Sequence, residues 1–111
     1  DNLIIVVDQN SLQAMGATKD ILDMEPLDEK LKAFGWSVTK IDGHNFEQIE
    51  NAVNGKDKKE FRRLSQAPEA IIAKTIKGKG WKRAENNNLF HYSHVNEEML
   101  KEALAELENG N

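Results

Sequence analysis

The sequence predicts an α/β fold: a parallel sheet in a three-layer arrangement with flanking helices. Three short runs, residues 3–7, 36–41 and 70–76, have the length and composition of strands. The first and the third are nearly continuous apolar runs, as is typical of strands covered on both faces of a parallel sheet. Helical patterns follow each strand, which favours right-handed crossovers. Three strands make a small sheet, so we expect the sheet to be incomplete in this chain.

The composition is that of an ordinary globular domain, and 111 residues allow one domain at most. The net charge of −4 argues against a nucleic-acid partner. The absence of cysteine excludes disulfides, thiolate metal sites and thiol nucleophiles. The longest apolar run is too short to span a membrane, so a cytoplasmic protein is expected. The first residue is Asp1 rather than methionine, which suggests a fragment, a processed chain or part of something longer.

The first strand ends in a polar turn, where Asp8, Gln9 and Asn10 follow one another. Open parallel sheets bind ligands beyond the carboxyl ends of their strands. The amide oxygen of Asn10 and the backbone carbonyl of Leu12 are hard oxygen ligands of the kind that Mg²⁺ prefers, and such an ion can hold a diphosphate. The alternative is that Asn10 only closes an Asx-type turn. Residues 11–23 show no sustained period and are predicted to form a loop.

The helical segments have recognisable ends. Pro26 suits a first helical turn, and Gly35 suits a left-handed C-terminal cap. Asn45 is predicted to cap the next helix, with Gln48 completing a capping-box-like pair. Asn96 is predicted to cap the last helix. The apolar faces predicted for these three helices comprise Leu27, Leu31 and Phe34; Phe46, Ile49 and Val53; and Met99, Leu100, Ala103, Leu104 and Leu107.

Two further segments have alternative interpretations. Residues 56–65 are rich in Lys and Arg and are predicted to be a solvated helix face rather than a phosphate-binding patch. The apolar face of the last helix could bind a partner helix, but we expect it to cover the chain's own sheet. Residues 109–111 are expected to fray.

A glycine-rich turn, residues 77–80, follows the third strand. Glycines there allow the backbone to come close to a ligand, and a lysine can neutralise phosphate charge. The full phosphate-loop pattern of nucleotide triphosphatases is absent, which argues against that class.

Residues 1–13 resemble the second half of the thiamine-diphosphate motif of transketolases. The resemblance implies that Asn10 gives its side-chain oxygen, and Leu12 its backbone carbonyl, to a magnesium ion. The first half of that motif is a Gly-Asp-Gly turn, and this tripeptide does not occur in the sequence. The resemblance therefore implies that another chain or segment carries it.

Residues 70–80 and 85–91 are similar to a second transketolase segment, in which a lysine and a histidine face the cofactor. The resemblance places Lys77 beside thiamine diphosphate and gives His91 a catalytic role near both the diphosphate and the sugar oxygens. A histidine titrates near neutrality and can pass a proton to a sugar hydroxyl or carbonyl. Tyr92 stands where the family usually has glycine.

The resemblance runs from Asp1 to about Leu107 and implies that residues 1–111 are the second half of a thiamine-diphosphate-binding domain. The implied activity moves a two-carbon ketol unit from a ketose phosphate to an aldose phosphate, with thiamine diphosphate and Mg²⁺ as cofactors. The expected partners are the Gly-Asp-Gly half and a pyrimidine-binding domain or subunit, in an oligomer, and the chain alone is expected to be inactive. Two alternatives stay open: another thiamine-diphosphate enzyme, such as a 2-oxoacid dehydrogenase or decarboxylase, and a non-catalytic structural or assembly module.

Overall fold

A computed structural model describes residues 3–54 and 67–109 of the chain. The described residues form two compact units, one lying within the ranges 1–9 and 23–75 and the other within the ranges 10–22 and 76–111. The charged segment 56–65 lies outside the described residues. The elements are β1 (Ile4–Gln9), β2 (Leu12–Gln13), β3 (Gly16–Ala17), α1 (Thr18–Ile21), α2 (Leu27–Ala33), β4 (Ser37–Asp42), α3 (Phe46–Asn54), β5 (Glu69–Lys74), a 3-10 helix (Asn88–His91) and α4 (Glu97–Glu108).

The first unit contains the predicted parallel sheet, in the strand order β1-β5-β4. Both outer strands pair in parallel with β5. In this register Ile4 of β1 and Ser37 of β4 both lie opposite Glu69. The central strand is buried from Glu69 to Ala73, and Ile71 and Ile72 are the largest fully buried side chains. The sequence-based prediction of a parallel α/β fold is therefore confirmed.

The position of the first strand differs from the prediction. The apolar run 3–7 is predicted to be covered on both faces of the sheet, but one face of β1 is exposed, and the strand lies at an edge of the sheet formed by the described residues. Val6 is 65% exposed, and Leu3 and Ile4 are exposed as well. The exposed residues of β1 alternate with less exposed ones, so the exposure is that of one face of the strand, which lies open to solvent.

Helix α2 ends as predicted, because Gly35 has a φ of +82° just beyond it. Phe34, however, is 82% exposed, so its predicted place on the buried face is wrong. Phe34 already lies outside the regular helix, at the C-cap, where the helical period no longer fixes the direction of a side chain. Asp28 joins this helix to the sheet through an ion pair of 2.9 Å with Lys40 on β4.

Helix α3 begins at the predicted cap: the side-chain oxygen of Asn45 accepts the backbone N–H of Gln48 at 3.1 Å. The second half of the capping box is not formed, because the side chain of Gln48 accepts the backbone N–H of Asp42 at 2.8 Å instead. The helix buries Ala52 most deeply, while Phe46 is 86% exposed. Contact with the end of β4 thus decides the direction of Gln48.

The second unit contains the β2–β3 hairpin, α1, the 3-10 helix and α4. Residues 11–23 were predicted as a loop, but the hairpin and α1 give that segment regular structure. Asn96 caps α4 as predicted, accepting the backbone N–H of Met99 at 2.9 Å. The leucines of α4 at positions 100, 104 and 107 are about half exposed, so the described residues leave much of the predicted apolar face uncovered. No helix among residues 3–54 and 67–109 has the length and hydropathy of a membrane span.

Candidate functional site

The turn after β1 brings two oxygen atoms into position. The side-chain oxygen of Asn10 accepts the backbone N–H of Leu12 at 2.9 Å, in a partly buried setting. This hydrogen bond is the Asx-type turn that the sequence offered as an alternative. An amide oxygen has two lone pairs, so the turn leaves Asn10 with one more acceptor position.

The hairpin directs the Leu12 carbonyl outward. The backbone carbonyl of Ser11 accepts the backbone N–H of Thr18 at 3.0 Å, so these two residues form a hydrogen-bonded pair. Leu12 lies opposite Ala17, at the next position of the antiparallel ladder. Hydrogen-bonded and non-hydrogen-bonded pairs alternate along such a ladder, so Leu12 occupies a position whose N–H and C=O point away from β3. Since the N–H of Leu12 meets the Asn10 oxygen, the Leu12 carbonyl leaves the hairpin on the same side as Asn10. The pair fits the two-oxygen half of a magnesium site.

Between these two residues the backbone is strained. Ser11 has a φ of +62°, in the left-handed region that residues with a Cβ rarely adopt. Such conformations cost of order 1–3 kcal/mol and cluster at ligand sites. The strained residue lies between Asn10 and Leu12, the two residues predicted to bind the metal.

The glycine-rich turn contains two lysines, and one of them, Lys77, has no ion pair in the described part of the chain. Two other cations nearby are neutralised: the side chain of Lys79 lies 3.6 Å from Glu85, and that of Arg83 lies 2.9 Å from Glu102. Lys77 is half-buried and follows the end of β5 by three residues. Its charge is available for an anionic ligand.

The loop that carries Lys77 is closed by its own backbone. Gly78 has a φ of +75°, and a Cβ placed there would lie 2.4 Å from the backbone oxygen of Ala84. Asn86, with a φ of +52°, donates its backbone N–H to the carbonyl of Lys77 at 2.9 Å. Gly78 is therefore required for two reasons, backbone conformation and close approach.

His91 ends the 3-10 helix and is exposed. The helix is capped by Asn87, whose side-chain oxygen accepts the backbone N–H of Leu89 at 3.1 Å. The imidazole of His91 meets the ring of Tyr92 edge to face, with the ring centroids 4.5 Å apart. Tyr92 has a φ of −128°, so this backbone position does not need the glycine that is usual in transketolases.

All four residues predicted from the sequence, Asn10, Leu12, Lys77 and His91, belong to the second compact unit. The residues described contain no group of three or more His, Asp or Glu side chains that could hold a metal ion. Asn10 and Leu12 supply two oxygen atoms, and the Gly-Asp-Gly turn does not occur in the sequence.

A second feature at the carboxyl ends of the strands was not predicted. The hydroxyl of Thr75 donates to the carboxylate of Asp8, and the backbone N–H of Thr75 donates to the carbonyl of Gln9 at 3.4 Å. Gly43 lies beside them, because a Cβ there would come within 2.4 Å of the Thr75 side chain. The sequence shows that polar residues stand at the ends of β1 and β5. It does not show that the two strands are neighbours, and so it could not predict that Asp8 and Thr75 would meet.

Comparison with known proteins decides the family. The family profile described as the thiamine diphosphate binding domain of transketolase matches residues 1–108. The chain belongs to this transketolase family. It is 43% identical over 108 residues to the 6-deoxy-6-sulfo-D-fructose transketolase subunit of Clostridium sp. (strain MSTE9), covering 97% of this chain and 38% of that protein.

Other transketolases agree with this assignment. An apulose-4-phosphate transketolase subunit of Actinobacillus succinogenes is 36% identical over 114 residues, covering 98% of this chain and 37% of that protein. The crystal structure of transketolase from Campylobacter jejuni matches this transketolase-family chain with a TM-score of 0.77 at 28% identity, covering 96% of this chain and 16% of that one. The chain thus spans less than two fifths of the length of these curated relatives.

Proposed function

We propose that this chain is the second half of the thiamine-diphosphate-binding domain of a transketolase-type enzyme, one that moves a two-carbon ketol unit from a ketose phosphate to an aldose phosphate. The observation that carries the proposal is that the Asn10 amide oxygen and the Leu12 carbonyl lie on the same edge of the hairpin, in the unit that also contains Lys77 and His91. Family membership supports the cofactor assignment.

Each residue has a distinct task in this proposal. Asn10 and Leu12 hold Mg²⁺, and Lys77 lies beside the bound cofactor and neutralises phosphate charge. Thiamine diphosphate, when bound, supplies the carbon that carries the two-carbon unit. His91, whose side chain is exposed, holds or moves a proton at an oxygen of the sugar.

A partner segment completes the site in this proposal. Mg²⁺ demands near-octahedral coordination, and this chain offers two ligands, so the rest come from the Gly-Asp-Gly half, the diphosphate and water. β1 lies at an edge of the sheet formed by the described residues, and its unpaired backbone groups are where that half adds a strand. Two of the relatives above are named as transketolase subunits, which supports a divided enzyme. A pyrimidine-binding domain or subunit would supply the other side of the active site in an oligomer.

Calorimetric titration tests the cofactor assignment. Thiamine diphosphate with Mg²⁺ is titrated into this chain alone and then into its mixture with a chain that carries Gly-Asp-Gly. We expect binding in the mixture, and binding that disappears when Mg²⁺ is removed by chelation. Absence of binding in both would overturn the proposal and favour the non-catalytic assembly module.

The role of His91 is tested in the completed enzyme. We expect His91→Ala to lower the rate of ketol transfer at least about 10²-fold, the lower end of what a general acid or base contributes. His94→Ala is the matched control, since His94 is also exposed and lies three residues away. Equal turnover in the two variants would remove His91 from the proposed site.

A further inference from the structure

Helix α4 makes hydrogen bonds and an ion pair with the loop that carries Lys77 and His91. The indole N–H of Trp81 donates to Glu102 at 3.3 Å, and the backbone N–H of Lys82 donates to Glu106 at 2.8 Å. The other carboxylate oxygen of Glu102 lies 2.9 Å from Arg83. Two carboxylates, one helical turn apart on α4, thus contact three consecutive residues of the loop.

Glu102 has the larger set of contacts. Its two oxygens bind different partners, one a neutral indole and the other a guanidinium. Hydrogen bonds in which one partner is charged are stronger than neutral ones. The side chain is 32% exposed, which weakens these contacts by solvent screening without removing them.

From Glu102 the contacts continue to the proposed site. The ring of Trp81 meets the ring of Phe90 edge to face, with centroids 4.9 Å apart and an interplanar angle of 79°. Phe90 precedes His91 within the same 3-10 helix. On the other side of the loop, the Lys77 carbonyl accepts the N–H of Asn86, next to the turn that begins at Trp81. A displacement of Trp81 would therefore reach both ends of the loop.

We propose that Glu102 is a positioning residue: by holding Trp81 and Arg83, it fixes the conformation of residues 77–91, the loop that carries Lys77 and His91. The cofactor contact of the loop rests on the function proposed above, whereas the ordering of the loop does not. Glu102 does not itself touch the cofactor in this scheme.

Nuclear magnetic resonance of the full chain without cofactor tests the ordering directly. The chain has two tryptophans, so the indole N–H signal of Trp36 serves as an internal reference for that of Trp81. We expect Glu102→Ala to shift the Trp81 signal, to speed hydrogen exchange in residues 80–90 and to move the His91 ring signals, while the Trp36 signal stays in place. Glu102→Gln should retain the indole hydrogen bond and restore most of the wild-type spectrum.

The matched control is Glu98→Ala, one turn earlier on the same helix, where the carboxylate is exposed and has no partner in the described residues. In the mixture with the Gly-Asp-Gly chain, we expect Glu102→Ala to weaken thiamine diphosphate binding about tenfold, and Glu98→Ala to leave it within about twofold.

Three results would overturn the inference. The first is a Glu102→Ala spectrum that matches the wild type, and the second is the same spectral change in Glu98→Ala. The third is a disordered loop in Glu102→Ala that binds the cofactor as tightly as the wild type. If the wild-type mixture does not bind thiamine diphosphate at all, the proposed function fails, while the spectra still decide whether Glu102 orders the loop.

Discussion

Replacing Gly78 by alanine tests whether the glycine-rich turn closes onto Ala84. Gly78 has a φ of +75°, and a Cβ there would lie 2.4 Å from the backbone oxygen and 2.6 Å from the backbone carbon of Ala84. Gly35 is the matched control: its φ of +82° needs the same left-handed conformation, but a Cβ placed there would meet no described atom within 4 Å. The two glycines therefore separate conformational strain from steric clash.

The structure sets the size of the two effects. A left-handed residue with a Cβ costs roughly 1–2 kcal/mol, which is the whole loss expected for Gly35→Ala. Gly78→Ala bears the same strain and must also push backbone atoms apart, and such overpacking costs typically about 1–3 kcal/mol more. We therefore expect the free energy of unfolding to fall by about 2–5 kcal/mol for Gly78→Ala.

Urea unfolding measures the difference, with tryptophan fluorescence as the signal. Trp81 lies in the same loop as Gly78, and Trp36 directly follows Gly35, so each substitution has a reporter nearby. Equal losses for the two variants would show that Ala84 does not approach Gly78, and would refute the closed loop. In the mixture with the Gly-Asp-Gly chain, a wild-type affinity for thiamine diphosphate in Gly78→Ala would contradict the proposal that the loop carrying Lys77 lies beside the cofactor.

Three further predictions concern single contacts. The hydrogen-bonded ion pair with Lys40 lowers the pKa of Asp28 below its usual 3.8. The ion pair therefore stabilises the fold above pH 3.8, and this stabilisation is lost as the pH falls through the pKa of Asp28 in the folded state. The urea midpoints of the wild type and Asp28→Asn should differ near neutral pH and converge in acid. Asn96→Ala should cost about 1 kcal/mol of stability, measured by circular dichroism during thermal unfolding, while Asn96→Asp keeps the cap. Thr75→Val, which removes the hydroxyl bound to Asp8, should cost about 1 kcal/mol in urea unfolding, and Thr75→Ser should recover it; equal losses would contradict the hydrogen bond.

Much of the local structure could be predicted because its causes are local. The caps at Asn45 and Asn96 depend on a side chain and a backbone N–H three residues away, and both form. Gly35 ends its helix for a reason confined to its own backbone angle. The Asx-type turn between Asn10 and Leu12 is local too, since the two residues are only two positions apart, whereas the hairpin that follows it was not predicted.

Contacts between distant residues could not be predicted in the same way. Gln48 could complete its own cap or bind the end of β4, and only the packed structure shows that it accepts the N–H of Asp42. The same holds for Thr75 with Asp8 and for Glu102 with Trp81, which are 67 and 21 residues apart. No periodic pattern in the sequence encodes such pairs.

The sequence by itself determined that this chain has three strands of a parallel α/β fold and carries transketolase motifs, because apolar runs, caps and motifs depend on neighbouring residues. Tertiary structure alone decided the strand order. The runs 3–7 and 70–76 have nearly the same pattern, yet β5 is central with Ile71 buried, and β1 is at an edge of the described sheet with Val6 exposed. Strand position depends on which strands pair across the chain, and an apolar pattern records only that a strand can be covered.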